Sequence, residues 1–413
     1  MIMLLVFRAS PKIAFVCWML TVGFVPVWFA VPLIASWMPA TLAGILVLAA
    51  TYPWGERRLG VPDALVAAFF AACFMPIFVP GAWSPTSVVV AISQWGLAFL
   101  LGRLLLGRRL RAEWIYGVIA LVMAGVALMA TLEFLLHWNP FVGLSPPWNS
   151  SSFWRGLQER GGLLRAEGAF GHSIALGCSL ALAVPLAIGS RFRLNVRLAL
   201  VAILAVAAVL TFSRLGIFGV LLGFLLSMVV GSALSGRARL TALAVATLAA
   251  VLLGPRVLDV FTGASTEAAG SARYRLDLLE LVPNMATFGF SDAGRVNPQG
   301  ELTFFQFQSI DSALLLLGLV YGLVALALAI ALLVLAVRSV VLRTAEPPTI
   351  AVVAQIPALM TVALITQYAM LFWLVAGLAV AAHERRPDAV VGHQGRALRG
   401  HVPRATPLHA LGD

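Results

Sequence analysis

Long apolar stretches, each closed by a few polar residues, set the pattern of this chain. A helix that crosses a membrane needs about 20 mostly apolar residues to traverse about 30 Å of hydrocarbon. On that criterion hydrophobic windows predict twelve spans, near 13–34, 36–53, 61–80, 86–106, 113–136, 168–190, 194–211, 214–234, 239–257, 309–337, 348–366 and 367–382. Very short turns divide the first two, the pair covering 194–234 and the last two. Two hydrophilic segments stand out, near 137–167 and 258–308. The second lies between spans nine and ten and holds a Gly/Ala/Ser stretch from Gly263 to Ser271. Residues 383–413 are polar and read as a disordered tail. The predicted architecture is an all-α polytopic bundle over residues 1–382, with short interfacial helices in the longer loop.

Composition strengthens this reading. Of 413 residues 61% are hydrophobic and 11% charged, whereas a soluble domain carries about 25% charged residues. Too few charges remain to coat a water-facing surface, so soluble enzyme folds and disordered scaffolds are excluded. A net charge of +11 would suit nucleic acid, but the basic residues fall in short clusters between apolar segments, which is a topology signal. No nucleic-acid partner is expected. With the N-terminus inside, 20 of the 28 basic residues lie on the inner side and 8 on the other. This positive-inside asymmetry predicts both termini in the cytoplasm and both long loops on the exported face. The first apolar run lacks a small-residue cleavage site, so it reads as a retained anchor. Cys17, Cys73 and Cys178 sit within apolar stretches and read as small helix residues.

The exported side carries the candidate chemistry. Arg165, Glu167 and His172 precede the span that opens near residue 168, and a helix N-terminus favours an anion. Arg165 there offers either a bidentate phosphate grip or an interfacial pair with Glu167. Thr211-Phe212-Ser213-Arg214-Leu215-Gly216 interrupts some 40 apolar residues. An arginine deep in a span costs about 2.5–3.5 kcal/mol, so Arg214 belongs at the outer surface or in a polar cavity, with Ser213 beside it. In the long loop, residues 271–281 read as an amphipathic surface helix with apolar positions 276, 278, 279 and 281. Arg273 and Asp277 are spaced for a helix salt bridge, which leaves Arg275 on another face. In Ser309-Ile310-Asp311-Ser312, either Ser309 or Asp311 reads as a helix cap, or Asp311 reads as an acid/base group or ligand towards a sugar hydroxyl. Phe304, Phe305 and Phe307 suit membrane anchoring or sugar stacking. Histidine and carboxylate spacing gives no metal site and the chain has no Walker loop, so no cofactor is expected.

In their order and spacing, Arg165-Ala-Glu-Gly-Ala-Phe-Gly-His-Ser, Leu210-Thr-Phe-Ser-Arg214-Leu-Gly, Tyr274-Arg275 and Ser309-Ile-Asp-Ser before a Gly-Leu-Val-Tyr-Gly span resemble the O-antigen ligase and polysaccharide polymerase family, over residues 110–340. The resemblance implies a metal-independent, inverting glycosyltransferase of the bacterial inner membrane. Its donor is an undecaprenyl-diphosphate-linked glycan, its acceptor a glycan or lipid, and its further partners are membrane lipids and polysaccharide-export proteins. Carried over to this chain, Arg165, Arg214 and Arg275 are the diphosphate ligands, Asp311, Arg214 and Arg275 the catalytic group, and His172, Glu167, Arg273 and Ser213 further substrate contacts. Where ligases carry a His-Asn pair this chain has Asp311-Ser312, which points to the polymerase branch. The alternatives are a ligase acting on a lipid A-core or other acceptor, and a transporter or flippase of an anionic lipid-linked substrate.

Overall fold

The computed structural model describes residues 2–32, 36–52, 59–78, 85–105, 110–144, 146, 152–160, 162–231, 235–244, 247, 270, 273–296 and 302–384. Most of the expected span 239–257, most of the Gly263–Ser271 stretch and the expected tail lie outside these residues. The fold is a helical bundle: α1 Ile2–Ala9, α2 Pro11–Phe24, α3 Pro39–Thr51, α4 Val61–Phe74, α5 Pro85–Val90, α6 Leu97–Leu105, α7 Ala112–Leu136, α8 Ser173–Gly189, α9 Leu194–Leu210, α10 Arg214–Val229, α11 Ala313–Tyr321, α12 Leu323–Val341, α13 Pro347–Ala354, α14 Ile356–Thr361 and α15 Thr366–His383. A π-helical turn, Ala91–Gly96, joins α5 to α6. Among the described residues strands form only two-stranded hairpins, one of them pairing Glu159–Arg160 with Leu163–Leu164.

Among the described residues five helical stretches are long and apolar enough to cross a membrane: Val61–Phe78, Thr86–Leu105, Ala112–Leu136, Leu323–Val341 and Thr366–His383. Six shorter apolar helices pack among them. The chain is an all-α membrane protein. Apolar residues surround α8, which is buried along nearly its whole length and, with the largely buried α15, forms the hub of the bundle.

Several expected spans are divided or trimmed; the helix of the span at 13–34 ends at Phe24, ahead of Pro26. The span at 309–337 is two helices that break at Gly322, whose φ of +93° suits glycine. A Cβ there would lie 2.7 Å from Phe288 Cα. The long loop runs along this break and takes up its backbone groups: Leu323 N–H donates to Ala286 O (2.8 Å), Gly289 N–H to Tyr321 O (3.1 Å) and Ser291 N–H to Leu319 O (2.8 Å). Non-helical backbone inside a membrane protein persists where protein groups satisfy it in this way. The span at 348–366 divides at Gln355, ahead of Pro357, and the helix expected from 168 starts at Ser173.

Hydrogen bonds identify one end of the bundle. Gln367 Nε2 donates to Val25 O (3.1 Å) and Ala169 O (3.0 Å), and Asn139 Nδ2 to Gly168 O (3.2 Å). Ala166 N–H donates to Leu210 O (3.2 Å), and Ala313 N–H to Val362 O (2.9 Å). Helices α2, α7, α9 and α14 therefore finish, and α8, α10, α11 and α15 begin, at this end. At the opposite end Arg103, buried in α6, holds both Asp63 (2.7 Å) and Glu384.

Candidate functional site

The α9–α10 turn is built before anything docks on it. Phe212 turns the chain at φ +45°, and Ser213 caps α10, its Oγ accepting from Gly216 N–H at 3.1 Å. Gly216 lies against Gly177 of α8, where an added Cβ would come 2.8 Å from Gly177 Cα, so the two backbones meet directly. Arg214, the first residue of α10, is left exposed at the surface. The part of Ser213 seen here is thus that of a cap.

Three successive carbonyls of this turn bind the 158–168 segment. Leu210 O takes Ala166 N–H, Thr211 O takes Arg165 Nε (2.9 Å), and Phe212 O takes an Arg160 guanidinium N–H (2.8 Å). Arg165 is buried and also approaches Gln158 Oε1 at 3.4 Å. Its Nε and Nη1 are turned to protein oxygens. Gln158 knits the segment together, accepting from Ser173 Oγ (2.9 Å) while its N–H donates to Glu167 Oε1 (3.0 Å).

Beneath lies Glu133, in the last turn of α7 and buried. It accepts three hydrogen bonds, from Asn139 Nδ2 (2.9 Å), Glu167 N–H (3.1 Å) and Gly168 N–H (2.8 Å). Sequence reasoning passed over Glu133 because it falls inside the predicted span 113–136; the available signal was a carboxylate one turn from the end of an otherwise apolar helix. Glu167, 1% exposed, has its carboxyl pushed up to about 7, chiefly by burial and further by the charge of Glu133, against the Gln158 hydrogen bond and Arg165. His172 caps α8, its Nδ1 accepting from Ile174 N–H at 3.2 Å. Burial, then the charge of Arg165, hold this imidazole down at about 4.

A second cluster comes from the long loop. Tyr274 packs edge-on to Phe307, with ring centroids 5.7 Å apart, and its hydroxyl donates to Ser309 O. Ser309 Oγ donates to Asp311 Oδ1 at 3.2 Å. Burial, then the charge of Asp311, raise the Tyr274 phenol above its ordinary range. The cap of α11 is neither Ser309 nor Asp311 but Ser312, which accepts from Leu315 N–H at 3.2 Å; Asp311 is half-buried. Arg275 is half-buried, and its Nε is buried with no hydrogen bond among the described residues. Arg273 and Asp277 are both exposed and form no ion pair with one another, so the expected helix salt bridge is absent. The surface helix is a short turn running into Leu278–Asn284, which buries Leu278 and Leu281 but exposes Leu276 and Leu279. A period nearer three than 3.6 splits the expected apolar face. Phe304 and Phe307 are buried within the loop, and of the three phenylalanines only Phe305 is exposed.

The two clusters share one end of the bundle. Helix α11 starts on Val362, just past α14, and α14 packs against α10. No hydrogen bond or ion pair among the described residues joins Asp311 to Arg165, Arg214 or Arg275. Also among the described residues, no group of three His, Cys, Asp or Glu is placed to hold a metal ion. In comparisons with protein-family models, with characterised proteins and with solved structures, nothing matches this chain.

Proposed function

We propose that the Arg214 end of the bundle is the site of a lipid-linked-glycan transferase of the polysaccharide polymerase type, facing the periplasm from the bacterial inner membrane. The observation that carries this reading is the build of the Arg214 turn: a cap, a glycine contact and three occupied carbonyls hold an arginine rigidly at the head of a helix. Transfer breaks the bond between the anomeric carbon of the donor sugar and its diphosphate, and the diphosphate leaves with the electron pair. Positive charge fixed where that negative charge develops lowers the barrier. Arg214 and Arg275 supply it in this reading. Arg165 positions the turn, and Glu167, His172 and Ser213 support it. Asp311 takes the proton of the acceptor hydroxyl as that oxygen attacks the anomeric carbon with inversion, and Tyr274 with Ser309 orients it. Substrates are an undecaprenyl-diphosphate-linked glycan and a glycan acceptor, or a lipid acceptor in a ligase.

The test is reconstitution with a lipid-diphosphate-linked repeat unit and gel analysis of the products. A ladder of lengthening glycans is expected. Arg214→Ala and Asp311→Asn are expected to reduce it at least a hundredfold, in line with loss of one charge-stabilising or acid–base group. A full ladder from both variants overturns the assignment. A second reading, transport of an anionic lipid, is favoured by one observation: a cavity that reaches from Trp154 and Ile365 at this end to His383 at the other. Movement of labelled lipid between leaflets without a glycan ladder is its signature.

A further inference from the structure

The cavity just mentioned encloses about 1110 Å³, more than the about 300–1,000 Å³ of an ordinary ligand pocket. Its walls are α4, the α5–α6 pair, the broken helix α11–α12 and α15, and most of its lining is aliphatic or aromatic. Helix α12 accounts for the space. Of its residues only Ala325 and Val340 are buried. Ile330, Val334 and Val337 face outward, whereas Ala329, Leu332 and Ala336, on the other face, line the cavity and are half-buried. An apolar space this large forfeits dispersion contacts when empty and offers water few partners. Hydrocarbon fills it best.

The charge of the lining is lopsided. Its two basic groups, Arg338 in the last turn of α12 and His383 at the end of α15, both lie at the end opposite Arg214. The nearby carboxylates Asp63 and Glu384 are taken up by Arg103. Among the described residues the Arg338 guanidinium makes no hydrogen bond or ion pair. A greasy interior with a cation at one mouth complements an anionic amphiphile. We propose that this cavity binds one anionic phospholipid from the leaflet at that end, its acyl chains between α12 and α15 and its phosphate at Arg338. The site is separate from the Arg214 turn and stands whether or not that turn transfers sugars.

Native mass spectrometry of the full-length protein, exchanged into detergent with either phosphatidylglycerol or phosphatidylcholine of identical chains, tests the proposal. The expected result is one retained phosphatidylglycerol per chain and little phosphatidylcholine. Arg338→Ala is expected to lower retention about fivefold, the effect of one interfacial cation. Arg343→Ala, at the same end but outside the lining, should leave it unchanged. Ala336→Phe is expected to block retention by filling the space; should it misfold, the two arginine variants still decide. Equal retention of both lipids, or equal effects of the Arg338 and Arg343 variants, overturns the proposal.

Discussion

Glu133→Ala is the sharpest probe of how the Arg214 end is held. The carboxylate accepts from Asn139 Nδ2 and from two backbone amides, Glu167 and Gly168, all in a buried setting. Truncation leaves three donors unmade, each costing about 1–3 kcal/mol. Water entering the vacated space returns part of that, so about 3 kcal/mol is a conservative loss. Because these bonds tie the 158–168 segment to α7, the loss falls first on local opening of that segment. At about 1.4 kcal/mol per tenfold, the Glu167 and Gly168 amides should exchange with deuterium about a hundredfold faster in the variant. Amides within α8 should change far less. Hydrogen exchange read by mass spectrometry on peptides covering 158–172 reports both. Unchanged exchange at Glu167 and Gly168, in a variant that folds, refutes the claim that Glu133 clamps this segment. Transferase activity, if present, should fall with the same variant, since Arg165 and the turn it binds lose their footing.

Other outcomes follow from the same geometry. Folded Glu167 holds its proton to about pH 7 against an ordinary 4.5, so its contribution to stability declines as pH rises between those values. Folded His172 stays neutral down to about 4 against an ordinary 6.5, so its contribution grows as pH rises across that window. The two slopes oppose one another; Glu167→Gln removes the first, and its melting temperature should climb more steeply than the wild type's from about pH 4.5 to 6.5. Gly216→Val drives a side chain into Gly177 of α8 and should prevent recovery of folded protein in detergent, while Gly216→Ala costs about 1–3 kcal/mol, measurable as a lowered melting temperature. Ser312→Ala should cost about 1 kcal/mol as a lost cap, whereas Asp311→Asn should leave the melt within about 0.5 kcal/mol yet remove activity; an equal loss of stability in both would return Asp311 to a capping part.

Much of the architecture was legible in one dimension. Apolar runs long enough to cross a membrane declare themselves without knowledge of neighbours, because lipid forces every backbone polar group to be satisfied within its own helix. For the same reason the polar interruption at 211–216 was visible as a break between spans, and a turn lies there that buries Thr211, Phe212 and Ser213 and leaves Arg214 at the surface. Arg165, Glu167 and His172 were picked out as one group and Ser213 with Arg214 as another; the structure lays Arg165 on the turn that Ser213 caps, while Asp311 makes no bond to either group among the described residues.

Other features depended on partners far along the chain, which no local pattern encodes. The break at Gly322 requires the loop at 286–291 to satisfy its backbone. The burial of Arg165 requires the carbonyl of Thr211, 46 residues away, and the cap of α11 fell to Ser312 rather than to Ser309 or Asp311 where α11 meets Val362. Glu133 reads as an intruder in a span until the amides of residues 167 and 168 are laid on it. Composition and periodicity determined that this chain is a bundle of membrane helices, since hydrophobic transfer acts on each segment separately. Which polar groups meet, and which remain open to a ligand, was decided by the tertiary structure alone, because hydrogen bonds and charges act over a few ångströms and only folding brings distant residues that close.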